Sequence, residues 1–302
     1  MDFGKLPSID HVDFTMPPDN IHNAEILDGK RIAAPAIYIG CPVWADKGFI
    51  GKIYPEDAQE KNFLNYYAAQ FNCIELNATH YKIPSPAMTQ RWVNMTKPGF
   101  KFSPKVPQVI SHAQNLGEML GLMDEFIESI SAFSDRLGTT FMQLPPHFGT
   151  SRLNELVSFL SNIPHPLKLA IELRHESWFA NNKAFDELCD FLMECNHSLV
   201  ITDVAGRRDV LHQRLSNKTT LVRFVANNLH PTDFKRMDDW AERSASWINN
   251  GLEDFYFFIH TPDKSLCPEL ANYFTAQLNK VAGMRLPLVN IKQKNIQGDL
   301  FS

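Results

Sequence analysis

No two cysteines of this 302-residue chain stand in C-x-x-C spacing. The five present, Cys41, Cys73, Cys189, Cys195 and Cys267, are odd in number and scattered. A disulfide framework and a thiolate zinc site therefore lack their pattern, and a reducing compartment fits. No apolar run reaches the ~18 residues that span a bilayer, so a membrane is not among the expected partners. The opening stretch MDFGKLPSIDHVDFTMPPDN lacks the charged-then-apolar order of a signal peptide, and the expected location is cytoplasmic. There is no long basic run, and the net charge is −5, which argues against nucleic acid as a bulk electrostatic partner. Neither G-x-G-x-x-G nor G-x-x-x-x-G-K-[ST] occurs. Nicotinamide, flavin and P-loop nucleotide cofactors lack support, and none is expected from the motifs. Neither H-x-H nor H-E-x-x-H occurs, so no spaced histidine pair announces a metal.

What is present is an ordinary globular composition, 44% hydrophobic and 21% charged, in a chain long enough for a full core. Residues 1–34 show no sustained periodicity and read as an arm wrapped on the body, or partly disordered. Beyond them, short apolar runs alternate with longer amphipathic ones. The strand candidates are Ala36–Cys41, Cys73–Asn77, Phe100–Ser103, Thr139–Leu144, Lys168–Arg174, Ser198–Asp203, Thr219–Val225 and Asp254–His260. Both parities are often apolar, as in parallel strands covered on both faces. The helix candidates are Asp57–Gln70, Pro86–Met95, Gly117–Leu137, Ser151–Asn162, Asn181–Cys195, Thr232–Asn250 and Leu266–Val281. The segment Ala205–Asn217 has the weakest helical pattern. Eight strands with intervening helices in about 250 residues predict an α/β fold, a single (β/α)8 barrel. The boundaries predicted are an arm over 1–34, the barrel over 35–284 and a tail over 285–302.

Alternate strand side chains face opposite sides, so parity selects which residues enter the barrel. Strand 2 sends in Cys73, Glu75 and Asn77; strand 3, Lys101, Ser103 and Lys105; strand 4, Phe141 and Gln143; strand 5, Ala170, Glu172 and Arg174. Asp203, Arg223 and His260 read as the last inward positions of strands 6, 7 and 8. One phase thus puts polar or ionisable groups at the carboxyl ends of most strands, where barrel enzymes keep their chemistry. The structural alternative is plain ion pairing at the mouth, Glu172 with Arg174 or Glu75 with Lys105.

His80, His112, His147, His175, His230 and His260 fall at or just after strand ends. If a divalent metal binds, its candidate ligands are Glu75, Glu172, Asp203 and His260, an oxygen-rich set suited to manganese, magnesium or zinc. Trp44, Tyr81 and Trp178 stand in loops near the mouth, where aromatic walls beside carboxylates suit a sugar or a base. The alternative for them is packing, and Trp92, inside a helix, reads as packing.

Five co-linear stretches carry a resemblance: IYIGCPVWADKGFIGKIYPE, ELNATHYKIPSPAMTQRW, GFKFSPKVPQVISH, FMQLPP and IELRHESWF. In order and spacing, over about residues 36–180, they resemble the YecE-like family, domain of unknown function 72. The resemblance implies a TIM-barrel fold and no established activity. Its motif positions include Trp44, Glu75, Asn77, Tyr81, Lys105, His112, Gln143, Glu172, Arg174, His175 and Trp178. Departures are Gly40-Cys41-Pro42-Val43-Trp44 where the family usually has Gly-Thr-Ser-Gly-Trp, and His80 where an aromatic residue is usual. The ends of strands 7 and 8 also depart.

The chain ends Gln297-Gly298-Asp299-Leu300-Phe301-Ser302. Gln297, Asp299, Leu300 and Phe301 are similar to the pentapeptide by which bacterial proteins dock onto the replication sliding clamp, with two apolar anchors offered to a pocket. Packing of this end on its own domain is the alternative.

Three functional readings stand open at this point. The first is a hydrolase or lyase for a small polar, sugar-like or phosphorylated substrate. Glu75, Glu172 and His175 are its catalytic candidates, and Lys105, Arg174 and Arg223 would hold substrate anions. The second is a metal-dependent phosphodiesterase or isomerase linked to DNA metabolism. The third is a non-catalytic barrel that binds a small-molecule ligand and is recruited by its tail.

Overall fold

Eight parallel strands form the centre of the protein in a computed structural model that describes residues 4–292 except 165 and 181. They are β1 Ala36–Cys41, β2 Cys73–Leu76, β3 Lys101–Pro104, β4 Thr140–Gln143, β5 Leu169–Glu172, β6 Ser198–Asp203, β7 Thr219–Val225 and β8 Asp254–His260. The order is β3-β2-β1-β8-β7-β6-β5-β4. The outer two strands, β3 and β4, meet through isolated bridges at Phe102–Leu137 and Lys105–Phe141, which closes the barrel. Among the described residues, seven helices of two turns or more follow the strands. They are α1 Phe63–Gln70, α2 Pro86–Asn94, α3 Leu120–Ser131, α4 Leu153–Ser161, α5 Asn182–Glu194, α6 Pro231–Asn249 and α7 Cys267–Ala282. This is the (β/α)8 barrel the alternation predicts.

Burial on both strand faces explains why β2, β4, β5 and β6 are buried along their whole length. The apolar residues sort into two clusters. A small one fills the barrel interior: Cys73, Phe141, Ala170, Val200, Leu221, Tyr256 and Phe258, with Tyr38 stacked on Tyr256 at 4.6 Å. A large one, including Trp178, Trp240 and Phe257, fills the layer between strands and helices. Gly40 lets β1 and β2 close: a Cβ there would lie 2.4 Å from the Cys73 carbonyl oxygen.

Strands β1, β6, β7 and β8 match their predicted bounds. β2 stops one residue early, because the Asn77 backbone already turns into a short helix over Ala78–Tyr81. The long helix expected over Gly117–Leu137 is broken after Ser131, where Ser134 takes a left-handed φ of 52°. The weak segment 205–217 holds one 3-10 turn, Arg208–Val210. No α-helix therefore separates β6 from β7 among the described residues, and the arm lies there instead. Gly206 N–H donates to Gly4 O at 2.9 Å. Arg243 donates to Pro17 O at 3.1 Å, and Trp247 Nε1 to Asp19 at 3.0 Å. Asn23 is the deepest anchor, 2% exposed, donating to Gln213 O at 2.7 Å and accepting from Leu215 N–H at 2.8 Å.

Truncating that anchor leaves a buried carbonyl and a buried amide without partners. Asn23→Ala is expected to lower stability by roughly 2–3 kcal/mol. Urea unfolding checks this, and an unchanged midpoint would show that the arm is not anchored there.

Candidate functional site

Inward parity brings Glu75, Lys105, Gln143, Glu172 and Arg223 together at the carboxyl ends of β2, β3, β4, β5 and β7. All five are buried. Arg223 is the centre. Its Nε and Nη2 donate to both oxygens of Glu75, at 3.0 and 2.8 Å, and its Nη1 donates to Glu172 Oε2 at 2.8 Å. Arg174, two residues beyond Glu172 on the same face, donates through Nε to Glu172 Oε1 at 2.8 Å. Asn77 donates to Glu75 Oε1 at 2.7 Å. His260 Nε2 lies 2.9 Å from Glu75 Oε2. Lys105 Nζ donates to the amide oxygen of Gln143 at 2.9 Å. Thr79 fixes the chain at that point, its hydroxyl placed 2.9 Å from Leu76 O and 2.7 Å from Lys105 O.

The electrostatics follow from this packing. Burial works to raise both carboxyls, but the opposing cations outweigh it. Arg223 and His260 hold Glu75 well below the usual carboxylate range. Arg174, Arg223 and Lys105 bring Glu172 down to about 2. For Lys105, burial and the neighbouring Arg223 outweigh the two glutamates, and its ammonium is lowered to about 8. Burial, then Lys105, pushes His80 down to about 4; its Nδ1 contacts Val106 O at 2.9 Å. His112 is lowered by burial, Lys105 and Arg174, and its Nδ1 lies 2.9 Å from Ser111 Oγ. Among the described residues, Lys105, Arg174 and Arg223 thus stand with Glu75 and Glu172 in one buried cluster.

Several expectations change. Asp203 is the last residue of β6, but its carboxylate faces the helix layer: Thr202, not Asp203, is in register with inward Arg223. It accepts from Arg236 Nη2 at 2.7 Å, from Trp240 Nε1 at 2.7 Å and from Arg208. Burial works to raise its pKa, and Arg236 and Arg208 carry it below the ordinary value. The metal set Glu75, Glu172, Asp203 and His260 is therefore not assembled. Asp203 is on the other face, and a guanidinium already lies between the two glutamates. No group of three metal-ligating side chains forms among the described residues. Glu75 pairs with Arg223, not with Lys105, whereas the Glu172–Arg174 pair is as expected.

Trp178 is fully buried in the outer core, its Nε1 donating to Phe148 O at 2.8 Å, so it packs and does not wall the mouth. His175 Nδ1 lies 2.8 Å from Ser177 Oγ and accepts Ser177 N–H, which places it in the turn after β5. Trp44 packs edge-on to Trp92, at 5.7 Å between centroids, and Trp92 stacks on Phe133. Tyr81 is 80% exposed beside His80. Gln297, Asp299, Leu300 and Phe301 lie outside the described residues. Parity does not pick out His80, Thr79 or Arg207, which donates to Arg174 O at 2.8 Å. All three follow strand ends, Thr79 and His80 in the short helix Ala78–Tyr81 and Arg207 in a turn, where strand parity gives no direction.

Comparisons with known proteins bear on the fold. Residues 38–293 match the family model described as protein of unknown function DUF72. The chain is 29% identical over 262 residues to UPF0759 protein YecE of Escherichia coli (strain K12), covering 81% of this chain and 93% of that one. It is 30% identical over 154 residues to UPF0759 protein YunF of Bacillus subtilis (strain 168), covering 48% and 52%. Two crystal structures of a DUF72 family protein from Enterococcus faecalis V583 are similar in fold. At 20% identity their TM-scores are 0.61 and 0.62, and they cover 86% and 84% of this chain and all of that one.

Arg223→Leu would leave Glu75 and Glu172 buried without their shared cation, and is expected to cost about 3–5 kcal/mol at pH 7. In the wild type both carboxyls sit below their unfolded value of 4.5, Glu172 at about 2. Their contribution is present above pH 4.5 and is lost as pH falls toward 2. In the variant, burial less opposed by a cation raises both carboxyls. Its deficit should therefore narrow as pH falls from 7 toward 4.5 and its glutamates protonate. It should narrow further below 4.5 as the wild type loses its own contribution. Urea titrations at several pH values test this, and a deficit constant with pH would contradict the assignment.

Proposed function

The chain belongs to the DUF72 family, whose description names no activity, and from that premise we propose that it is a lyase-type barrel enzyme for a small polar anion, sugar-like or phosphorylated. One observation carries this reading. Lys105 is buried at the mouth, and among the described residues its ammonium is held by an amide oxygen rather than by a carboxylate. A ligand anion would balance that charge. An ammonium brought down to about 8 can both give and take a proton near neutral pH. Arg174 bonds Glu172, Asn77 bonds Glu75, and His112 feels the charges of Lys105 and Arg174; these three would orient the ligand.

The paired-carboxylate hydrolysis reading is weaker. A glycosidase acid must be protonated at working pH, and Arg223 at Glu75, and Arg174 with Arg223 at Glu172, keep both ionised. Their role here is to set the field around Lys105. The metal-dependent phosphodiesterase or isomerase reading lacks an assembled ligand set.

Inorganic phosphate and a panel of sugar phosphates, titrated calorimetrically, test the proposal. Lys105→Met is expected to weaken anion binding at least about tenfold. For the wild type, affinity should hold to about pH 7 and fall as pH rises through about 8, where Lys105 loses its charge. Affinity indifferent to both the substitution and the pH overturns it.

A partner reading rests on the tail. The last described backbone contact, Lys292 N–H to Lys52 O at 2.9 Å, precedes the Gln297–Phe301 motif by five residues. We propose that this motif docks on a bacterial sliding clamp. A labelled peptide of residues 289–302 should bind purified clamp, and Leu300→Ala with Phe301→Ala should abolish binding. No binding at high micromolar concentration would sink the idea.

A further inference from the structure

A cavity of about 580 Å³ opens beside the charged cluster, between the carboxyl ends of β6, β7 and β8 and the first described residues of the arm. That volume is in the range of small-molecule sites. Its apolar wall is built from both sides, Leu6, Pro7 and Ile9 of the arm facing Val204, Val225 and Pro262 of the barrel. Its ionisable lining is of one kind: Lys5, His230, His260 and Lys264, with no carboxylate among the described lining residues. Among the described lining residues, a cationic ligand would meet only like or neutral groups. A bare inorganic anion would leave the apolar wall facing water. The lining fits an organic anion with an apolar body.

Two features show that the cavity is held open by its surroundings. Gly206 is where the arm approaches the barrel, since a Cβ there would lie 2.7 Å from Gly4 O. The loop after β7 places Asn228 and Leu229 at φ of 55° and 64°, a conformation that costs energy in non-glycine residues and persists only when neighbours fix it. Asn228 Oδ1 is fixed by Thr261 Oγ1 at 2.9 Å and by Asp263 N–H at 2.8 Å. His260 joins the two regions. Its Nε2 meets Glu75, and its ring lines the cavity.

We propose that this cavity is a second subsite at the barrel mouth, which takes the apolar body of an aryl or alkyl phosphate or sulfonate. It rests on the function proposed above only in assuming that the anionic head reaches the Lys105 cluster. The arm is then part of the binding site and supplies half of its apolar wall.

The test uses the full chain with two probes, 1-naphthyl phosphate and inorganic phosphate, in parallel calorimetric titrations. The naphthyl ester is expected to bind at least about tenfold tighter than phosphate. Val225→Trp, which fills the cavity, should remove that advantage and leave phosphate binding unchanged. Lys264→Glu at the rim and Leu6→Ser in the arm should each reduce it severalfold. They also serve if the tryptophan variant does not fold. An ester that binds no better than phosphate overturns the subsite, as does an advantage untouched by folded variants. If the ester binds and responds to these variants while phosphate does not bind, the Lys105 assignment falls and the subsite stands.

Discussion

The guanidinium of Arg223 is the constraint on which the mouth of this barrel depends. Two buried carboxylates on β2 and β5 would each cost several kcal/mol without a partner. A single residue of β7 satisfies both, through two bonds to Glu75 and one to Glu172. The pairing crosses the interior, so it fixes the relative position of three strands that are not neighbours in the sheet. Several groups at the mouth take part of their state from this cation. It helps to keep both glutamates ionised, with Arg174 the larger influence on Glu172, and after burial it pushes Lys105 toward neutrality. The acid–base behaviour of the site is thus set by a residue whose own protonation never changes in water at ordinary pH.

The barrel itself is legible in the amino-acid order, because parallel strands covered on both faces leave dense apolar runs at a regular interval. The inward set on β2 to β5 is legible too, since Ile74 and Leu76, or Ile171 and Leu173, leave one parity for the polar residues. Strand β6 shows where this logic fails. Ser198–Asp203 is buried at every position, so polarity alone assigns Asp203 to the interior. Its partners, Arg236 and Trp240, sit on α6 more than thirty positions away. The Glu75–Arg223 pair spans 148 positions. Spacing carries no trace of contacts at that range, which is why parity points to Lys105 as the partner of Glu75. Trp178 misleads for a related reason: a loop tryptophan after a strand end reads as a wall, but its indole is turned into the outer core.

The arm is the part of the architecture that periodicity could least foresee. Residues without a hydrophobic repeat still bury well when each polar group finds a specific backbone partner, as Asn23 does. They cover the flank between β6 and β7, where the chain folds no α-helix of its own. The layer around the strands is therefore completed by a segment from the opposite end of the sequence. The same segment forms a wall of the cavity beside His260.

One further consequence comes from the way the cylinder closes. Between β3 and β4 there is no continuous ladder, only two isolated bridges. The Lys105–Gln143 hydrogen bond lies across that gap like a clasp. The seam is joined by isolated bridges where the other neighbours pair as strands, and such places are where local opening starts. A molecule that grips Lys105 and Gln143 together would also hold the two free edges, so occupancy of the mouth and integrity of the ring are thermodynamically linked.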